Sequence, residues 1–143
     1  MRWTSRLYAL AQEDGFAVRA VIVSTAGPTP RSVGAALIVT ASRQEGRIGR
    51  PELTTQVVEI ARANLDVRRK AEPHVTWTRR HQTFATGTVL GEATGGSVEI
   101  LIEVFGPAEI SHLAQIEGNA PDDSLLVRPM ASGNPVCVCP PGA

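Results

Sequence analysis

The chain has 143 residues, in which 14 lysines and arginines balance 14 aspartates and glutamates. This length predicts one domain that buries a core, and the zero net charge leaves no global basic field to hold nucleic acid or an anionic membrane. No apolar run approaches a membrane span and no signal pattern opens the chain, so we expect a cytoplasmic location.

Apolar periodicity predicts helices that alternate with strands. Helices are predicted at residues 3–13, 51–67 and 107–117, where apolar side chains recur at helical spacing. Strands are predicted at residues 16–25, 34–41, 47–49, 74–77, 97–105 and 125–128. This order predicts a single α/β domain, residues 1–130, in which helices flank a mixed β-sheet.

The carboxyl-terminal residues 131–143 are rich in proline and contain both cysteines, and we predict a poorly ordered tail. Cys137 and Cys139 are two positions apart, so in an extended segment their side chains point to opposite sides. A disulfide between them would be strained, and no further ligand follows at zinc-site spacing. We therefore predict that the two thiols have no chemical role.

Three polar, glycine-containing connections are the candidate ligand-binding segments: residues 25–34, 46–52 and 86–97. If they converge, their backbone N–H groups would line a pocket for an anion, with Arg31 and Arg50 as counter-charges. The first connection is stiff, because Pro28 and Pro30 fix their own backbone angles. The same residues also suit a purely structural turn, and local physics alone favours that interpretation.

The sequence predicts no catalytic residue and no metal site. It lacks the usual phosphate-loop, dinucleotide-binding and serine-elbow patterns, and its three histidines are expected at the surface. Glu99 and Glu103 share one face of the strand at 97–105, and paired carboxylates with His81 would suit acid–base chemistry. Carboxylates on such a strand more commonly form its solvated face, which is the interpretation that we favour.

Three segments in register carry a resemblance to a known family. They are Gly27-Pro-Thr-Pro-Arg31 followed by Gly34-Ala-Ala-Leu-Ile-Val39, then Gly46-Arg-Ile-Gly49, then Gly95-Gly-Ser-Val-Glu-Ile-Leu-Ile-Glu103. Over about residues 16 to 108, the chain resembles the amino-terminal domain of the XdhC/CoxI family, the accessory proteins of xanthine dehydrogenase and carbon monoxide dehydrogenase.

The resemblance implies an accessory protein without turnover of its own. Family members bind molybdenum cofactor (molybdopterin), support its sulfuration and deliver it to a hydroxylase. The implied partner is a molybdenum hydroxylase or a full-length XdhC-type protein, with a homodimer left open. The implied cofactor contacts lie in the three glycine-containing connections, at Thr29, Pro30, Arg31, Gly34, Gly49, Arg50, Gly95 and Gly96.

The chain departs from the family pattern at two places in these connections. Thr94 stands where the family has a cysteine, and threonine cannot replace a thiolate as a soft ligand. Arg50 and Pro51 stand within the family's run of glycines, which adds bulk and removes an N–H donor. Family members also carry a second, dinucleotide-binding domain. The alternative hypothesis is therefore a diverged partner-docking or oligomerisation module that has lost its small-molecule site.

Overall fold

A computed structural model describes residues 3–13, 15–26, 33–49, 51–85, 96–119, 125–127 and 132–139. The helices are α1 (Trp3–Ala11), α2 (Pro51–Lys70) and α3 (Pro107–Asn119). The strands are β1 (Ala17–Ala26), β2 (Ala36–Val39), β3 (Gln44–Gly46), β4 (Arg79–Ala85), β5 (Ser97–Phe105), β6 (Leu125–Val127) and β7 (Cys137–Cys139).

Five strands form one sheet in the order β3-β2-β1-β5-β4, and β6 pairs with β7. Each described pairing is antiparallel: Ala20 of β1, for example, lies opposite Leu37 of β2 and Ile102 of β5. The predicted single α/β domain with helices against a sheet is confirmed, but the sheet was expected to be mixed and its described strand pairs are all antiparallel. No helix within the described ranges is both long and apolar enough to cross a bilayer.

The helices lie on opposite faces of the sheet, because successive side chains of a strand point to opposite faces. Helix α2 packs on one face, where its buried residues join a core with alternate residues of β1 and β5. Helices α1 and α3 cover the other face, where a second core contains Leu7, Leu113, Trp77 and Phe105. The first core contains Val18, Ala20, Ile22, Val57, Ala61, Leu65, Val98, Ile100, Ile102 and Val104.

Two sequence-based strand predictions were wrong in position. The return strand of the first hairpin is β3 (Gln44–Gly46), which pairs with β2, and residues 47–49 lead into α2 instead. The segment 74–77 is irregular and forms no strand, and the strand begins at Arg79, because Trp77 adopts a left-handed backbone conformation (φ 54°) that interrupts extended structure.

Residues 132–139 of the predicted tail pack against the domain where the structure describes them. Val136 is buried in the second core, and its carbonyl oxygen lies 3.0 Å from Nε2 of His112. The N–H of Gly133 donates to the carbonyl of Trp77 (2.9 Å). Strand β7 keeps Cys137 in the extended geometry that the sequence predicts, with its side chain exposed.

Candidate ligand-binding site

The three glycine-containing connections leave from the same end of the sheet. Ala26, the last residue of β1, lies opposite Ser97, the first residue of β5, and Ala85 at the end of β4 lies opposite the same Ser97. On the other side of β1, the connection from β1 leads into β2 at Ala36. Because β3 runs antiparallel to β2, its last residue also reaches this end, which we call the glycine end.

Gly34 lies at the glycine end, just before β2. Its φ is +99°, and within the described part of the chain no atom would lie within 4 Å of a Cβ added there. Its N–H donates to the carbonyl of Ile22 (2.9 Å), and the N–H of Ile22 donates to the carbonyl of Ala35 (2.9 Å). The amide of Gly34 is therefore already used by the sheet.

Gly49 shapes the turn that leads into α2. Its φ is +64°, and a Cβ would lie 3.0 Å from Cδ2 of Leu53. The hydroxyl of Thr54 donates to the carbonyl of Ile48 (2.7 Å) and accepts from the N–H of Ile48 (3.1 Å). This buried pair of bonds fixes the turn on the face that carries α2, which favours a structural role for Gly49.

The other predicted contacts divide between described and undescribed residues. Gly96 is buried immediately before β5. Five of the predicted contacts lie outside the described residues, as does Thr94, and their predicted roles stay predictions; the five are Thr29, Pro30, Arg31, Arg50 and Gly95.

A polar cluster next to the glycine end joins three neighbouring strands. The carboxylate of Glu99 accepts a hydrogen bond from the hydroxyl of Ser24 through Oε2 (3.2 Å), and its Oε1 lies 2.9 Å from Nδ1 of His81. An ionised carboxylate only accepts, so Nδ1 of His81 carries the proton in this contact. We call these three residues, Ser24, His81 and Glu99, the Glu99 cluster.

A β-bulge builds this cluster. The register between β1 and β5 shifts between Ile22 and Ser24, with Val23 as the extra residue. Without the shift, strict alternation would turn Ser24 toward α2, with Ile22. The bulge instead places Ser24 directly opposite Glu99, which is the way bulges commonly re-aim a side chain. Sequence reasoning missed Ser24, because nothing in an apolar run marks where a bulge will form.

Glu99 remains open to solvent although it is held by two donors. Its side chain is 38% exposed and that of His81 is 35% exposed. The hydrogen bond from His81, followed by the one from Ser24, lowers the pKa of the Glu99 carboxyl below its ordinary value. A carboxylate has about four acceptor positions, so one that is fixed by two donors still accepts further hydrogen bonds from a ligand.

The other end of the same sheet face is closed by buried charges. Glu103 lies opposite both Arg19 and Arg79, and Nε of Arg79 donates to its Oε2 (2.7 Å). The side chains of Arg79 and Glu103 are 0% and 2% exposed. The expectation of a solvated face was therefore wrong for Glu103, because Trp3 and Trp77 stack over the two arginines and exclude water.

A second buried ion pair ties α2 to α3 near this closed end. Arg68 pairs with Glu109, whose Oε2 also accepts the backbone N–H of Trp77 (3.0 Å). The side chains of Arg68 and Glu109 are 7% and 0% exposed. This contact satisfies the backbone of Trp77 in its left-handed conformation, so these buried charges have a structural role.

A cavity of about 250 Å³ opens between α1 and the strands β2 and β3. Its charged lining residues already contact other side chains: Arg6 pairs with Glu45, and the guanidinium of Arg19 lies 4.5 Å from the centre of the Trp3 ring. We therefore place the candidate site at the glycine end and the Glu99 cluster. Within the described ranges, no group of three His, Cys, Asp or Glu side chains is arranged to hold a metal ion.

A comparison with protein families matches a part of the chain that includes residues of the glycine end. The sequence model of the XdhC and CoxI family matches residues 10–76, which include the first two connections. The resemblance to the XdhC and CoxI family is thereby confirmed. No curated protein matches this XdhC/CoxI-like sequence closely enough to add a relative.

A solved structure shares the fold of this XdhC/CoxI-like chain. It is described as a xanthine dehydrogenase from Bacillus halodurans and superposes with a TM-score of 0.60 at 20% sequence identity. The match covers 83% of this chain but only 35% of the solved one. The similarity therefore shows the fold, and the chain corresponds to about a third of that larger protein.

Proposed function

We propose that this chain is a non-catalytic accessory domain of the XdhC type that acts in the cytoplasm on a molybdenum hydroxylase such as xanthine dehydrogenase. In this proposal it binds or handles molybdenum cofactor (molybdopterin) during maturation of that enzyme. The observation that carries the proposal is the family match over residues 10–76, since it includes the Gly-Pro-Thr-Pro-Arg segment and the turn into α2.

The described residues fit the organic part of this cofactor better than its metal. The ionised carboxylate of Glu99, next to the glycine end, provides acceptors for the N–H donors of a pterin ring. Thr94 offers no thiolate for molybdenum. We therefore assign pterin and phosphate recognition to this chain, with Arg31 and Arg50 as counter-charges to the phosphate.

Titration of the purified protein with molybdopterin under anaerobic conditions, followed by calorimetry, tests the proposal. We expect saturable binding with a stoichiometry near one. Arg31→Ala should weaken binding about tenfold, because a charged hydrogen bond to phosphate is lost. Arg80→Ala, which removes an exposed arginine from β4, is the matched control and should bind as the wild type does.

Two results would count against this function. Absence of binding by the wild-type protein at micromolar cofactor would contradict the cofactor proposal as a whole. Equal affinities of Arg31→Ala and Arg80→Ala would remove Arg31 from the site but leave cofactor binding in place.

The edge of the sheet favours one second candidate, a partner-docking module without a small-molecule site. The N–H of Val104 donates to the carbonyl of Thr78 (3.1 Å). Because hydrogen-bonded and non-hydrogen-bonded pairs alternate along antiparallel strands, the backbone N–H and C=O groups of His81 and Thr83 point away from β5. Such outward groups can pair with a strand of another chain. The N–H of Arg79, which also points away from β5, donates to the hydroxyl of Ser132 (2.9 Å).

Hydrogen exchange distinguishes this docking module from the cofactor-binding domain. If β4 pairs with another chain, the amides of His81 and Thr83 should become protected when the partner hydroxylase is added, or when the protein is concentrated enough to dimerise. Rapid exchange of both amides under all of these conditions would exclude docking through β4.

A further inference from the structure

We propose that Glu99 recognises the 2-amino-4-oxopyrimidine ring of a pterin by accepting hydrogen bonds from its adjacent N–H groups. This inference rests on the function proposed above and assigns one residue to one part of the ligand. It starts from three features of the Glu99 carboxylate: its rigidity, its remaining acceptor positions and its place beside the glycine end.

The rigidity comes from bonds on both oxygens. Ser24 donates to Oε2 and His81 donates to Oε1, from two different strands. A carboxylate that is fixed before the ligand arrives loses little conformational entropy on binding. The β-bulge at Val23 brings Ser24 to this position, so the backbone geometry itself helps to hold Glu99.

The chemistry of the acceptor selects the ligand group. The two oxygens of an ionised carboxylate match a pair of neighbouring N–H donors, as in a guanidinium or in the amino group and ring N–H of an aminopyrimidinone. A phosphate would be repelled by the charge of Glu99. A phosphate-bearing pterin would therefore place its ring, and not its phosphate, against Glu99.

The Glu99 carboxylate lies near the glycine end of the sheet. Glu99 follows Gly96 by three residues, which is about 10 Å along a strand. Its side chain lies on the sheet face opposite α2, beyond the part that is closed by Glu103 and its arginines. A pterin ring against the Glu99 cluster would thus be close to Gly96 at the start of β5.

Binding of two related heterocycles gives the sharpest test. Pterin carries an amino group at position 2, whereas lumazine carries an oxygen there, which accepts hydrogen bonds and would oppose a carboxylate. We expect the wild-type protein to bind pterin more tightly than lumazine, and Glu99→Gln to lose about 10- to 100-fold in pterin affinity. Because a glutamine amide also donates, the same variant should lose the preference for pterin over lumazine.

The control is Glu59→Gln, which removes an exposed carboxylate from α2 and should leave both affinities unchanged. Ser24→Ala keeps the charge of Glu99 and should lose less affinity than Glu99→Gln. Thermal unfolding by circular dichroism of each variant shows whether the fold is retained.

The outcomes separate this inference from the proposed function. If the wild type binds molybdopterin but Glu99→Gln binds pterin as tightly as Glu59→Gln does and keeps the same preference over lumazine, the role of Glu99 alone would be overturned. Absence of molybdopterin binding by the wild type would overturn both. A loss of the pterin preference in Glu99→Gln, with a normal unfolding temperature, would support the assignment.

Discussion

Glu99 and Glu103 occupy the same face of the same strand, yet their surroundings give them opposite roles. Glu103 is 2% exposed and pairs with Arg79 beneath aromatic rings, whereas the side chain of Glu99 is 38% exposed and is held by a serine and a histidine. The two carboxylates are four residues apart. The comparison shows that burial by neighbouring elements, rather than residue type, separates a structural charge from one that can meet a ligand.

The largest expected effect on the free energy of unfolding comes from removing the buried charge of Glu103. Glu103→Gln should lower the free energy of unfolding by about 3–5 kcal/mol, because it leaves the arginines beside it buried without their counter-charge. Glu99→Gln should leave the free energy of unfolding close to that of the wild type, since its carboxylate is solvated. Urea denaturation of both variants measures the difference, and equal destabilisation would break the comparison between the two carboxylates.

An intermediate effect is expected for Thr54, whose buried hydroxyl fixes the turn that leads into α2. Thr54→Val keeps the shape of the side chain but removes both hydrogen bonds to the backbone of Ile48. We expect the free energy of unfolding to fall by about 1–3 kcal/mol, because a buried N–H and a buried carbonyl lose their partner. Thr55→Val, at an exposed position of α2, is the control. A Thr54→Val variant as stable as this control would contradict the role of Thr54 in fixing the turn.

The smallest effect concerns the titration of Glu99. Replacement of His81 by Ala should raise the pKa of the Glu99 carboxyl toward its ordinary value, because the contact with His81 is the main cause of the lowered pKa. Thr83→Ala, which changes the residue opposite Glu99, should not move this pKa. NMR titration of the side-chain carboxyl gives the measurement, and an unchanged pKa in His81→Ala would exclude His81 as the cause.

The sign of the pH dependence follows from the direction of this shift. A carboxyl whose pKa is lower in the folded protein stabilises the fold above its unfolded pKa, and that contribution is lost as the pH falls through the folded pKa. His81→Ala should therefore flatten the dependence of stability on pH in the acid range, while leaving stability at neutral pH nearly unchanged because both groups are exposed.

Much of the secondary structure could be predicted from the sequence because it depends on local patterns. The period of Val57, Ala61 and Leu65 predicted α2, and the alternation of Val98, Ile100 and Ile102 predicted the face of β5 that packs on it. The position of β4 could not be predicted, since its polar sequence carries no hydrophobic period. Its place at the edge of the sheet is fixed by pairing with β5.

For the candidate site, the sequence by itself determined which segments carry glycine and where the chain resembles the XdhC and CoxI family. It also placed Glu99 and Glu103 on one face of a strand. Only the tertiary structure decided that the three connections leave one end of the sheet and that a bulge turns Ser24 toward Glu99. It also decided which glutamate is buried. These features depend on contacts between distant segments and on the register between strands, neither of which a local pattern encodes.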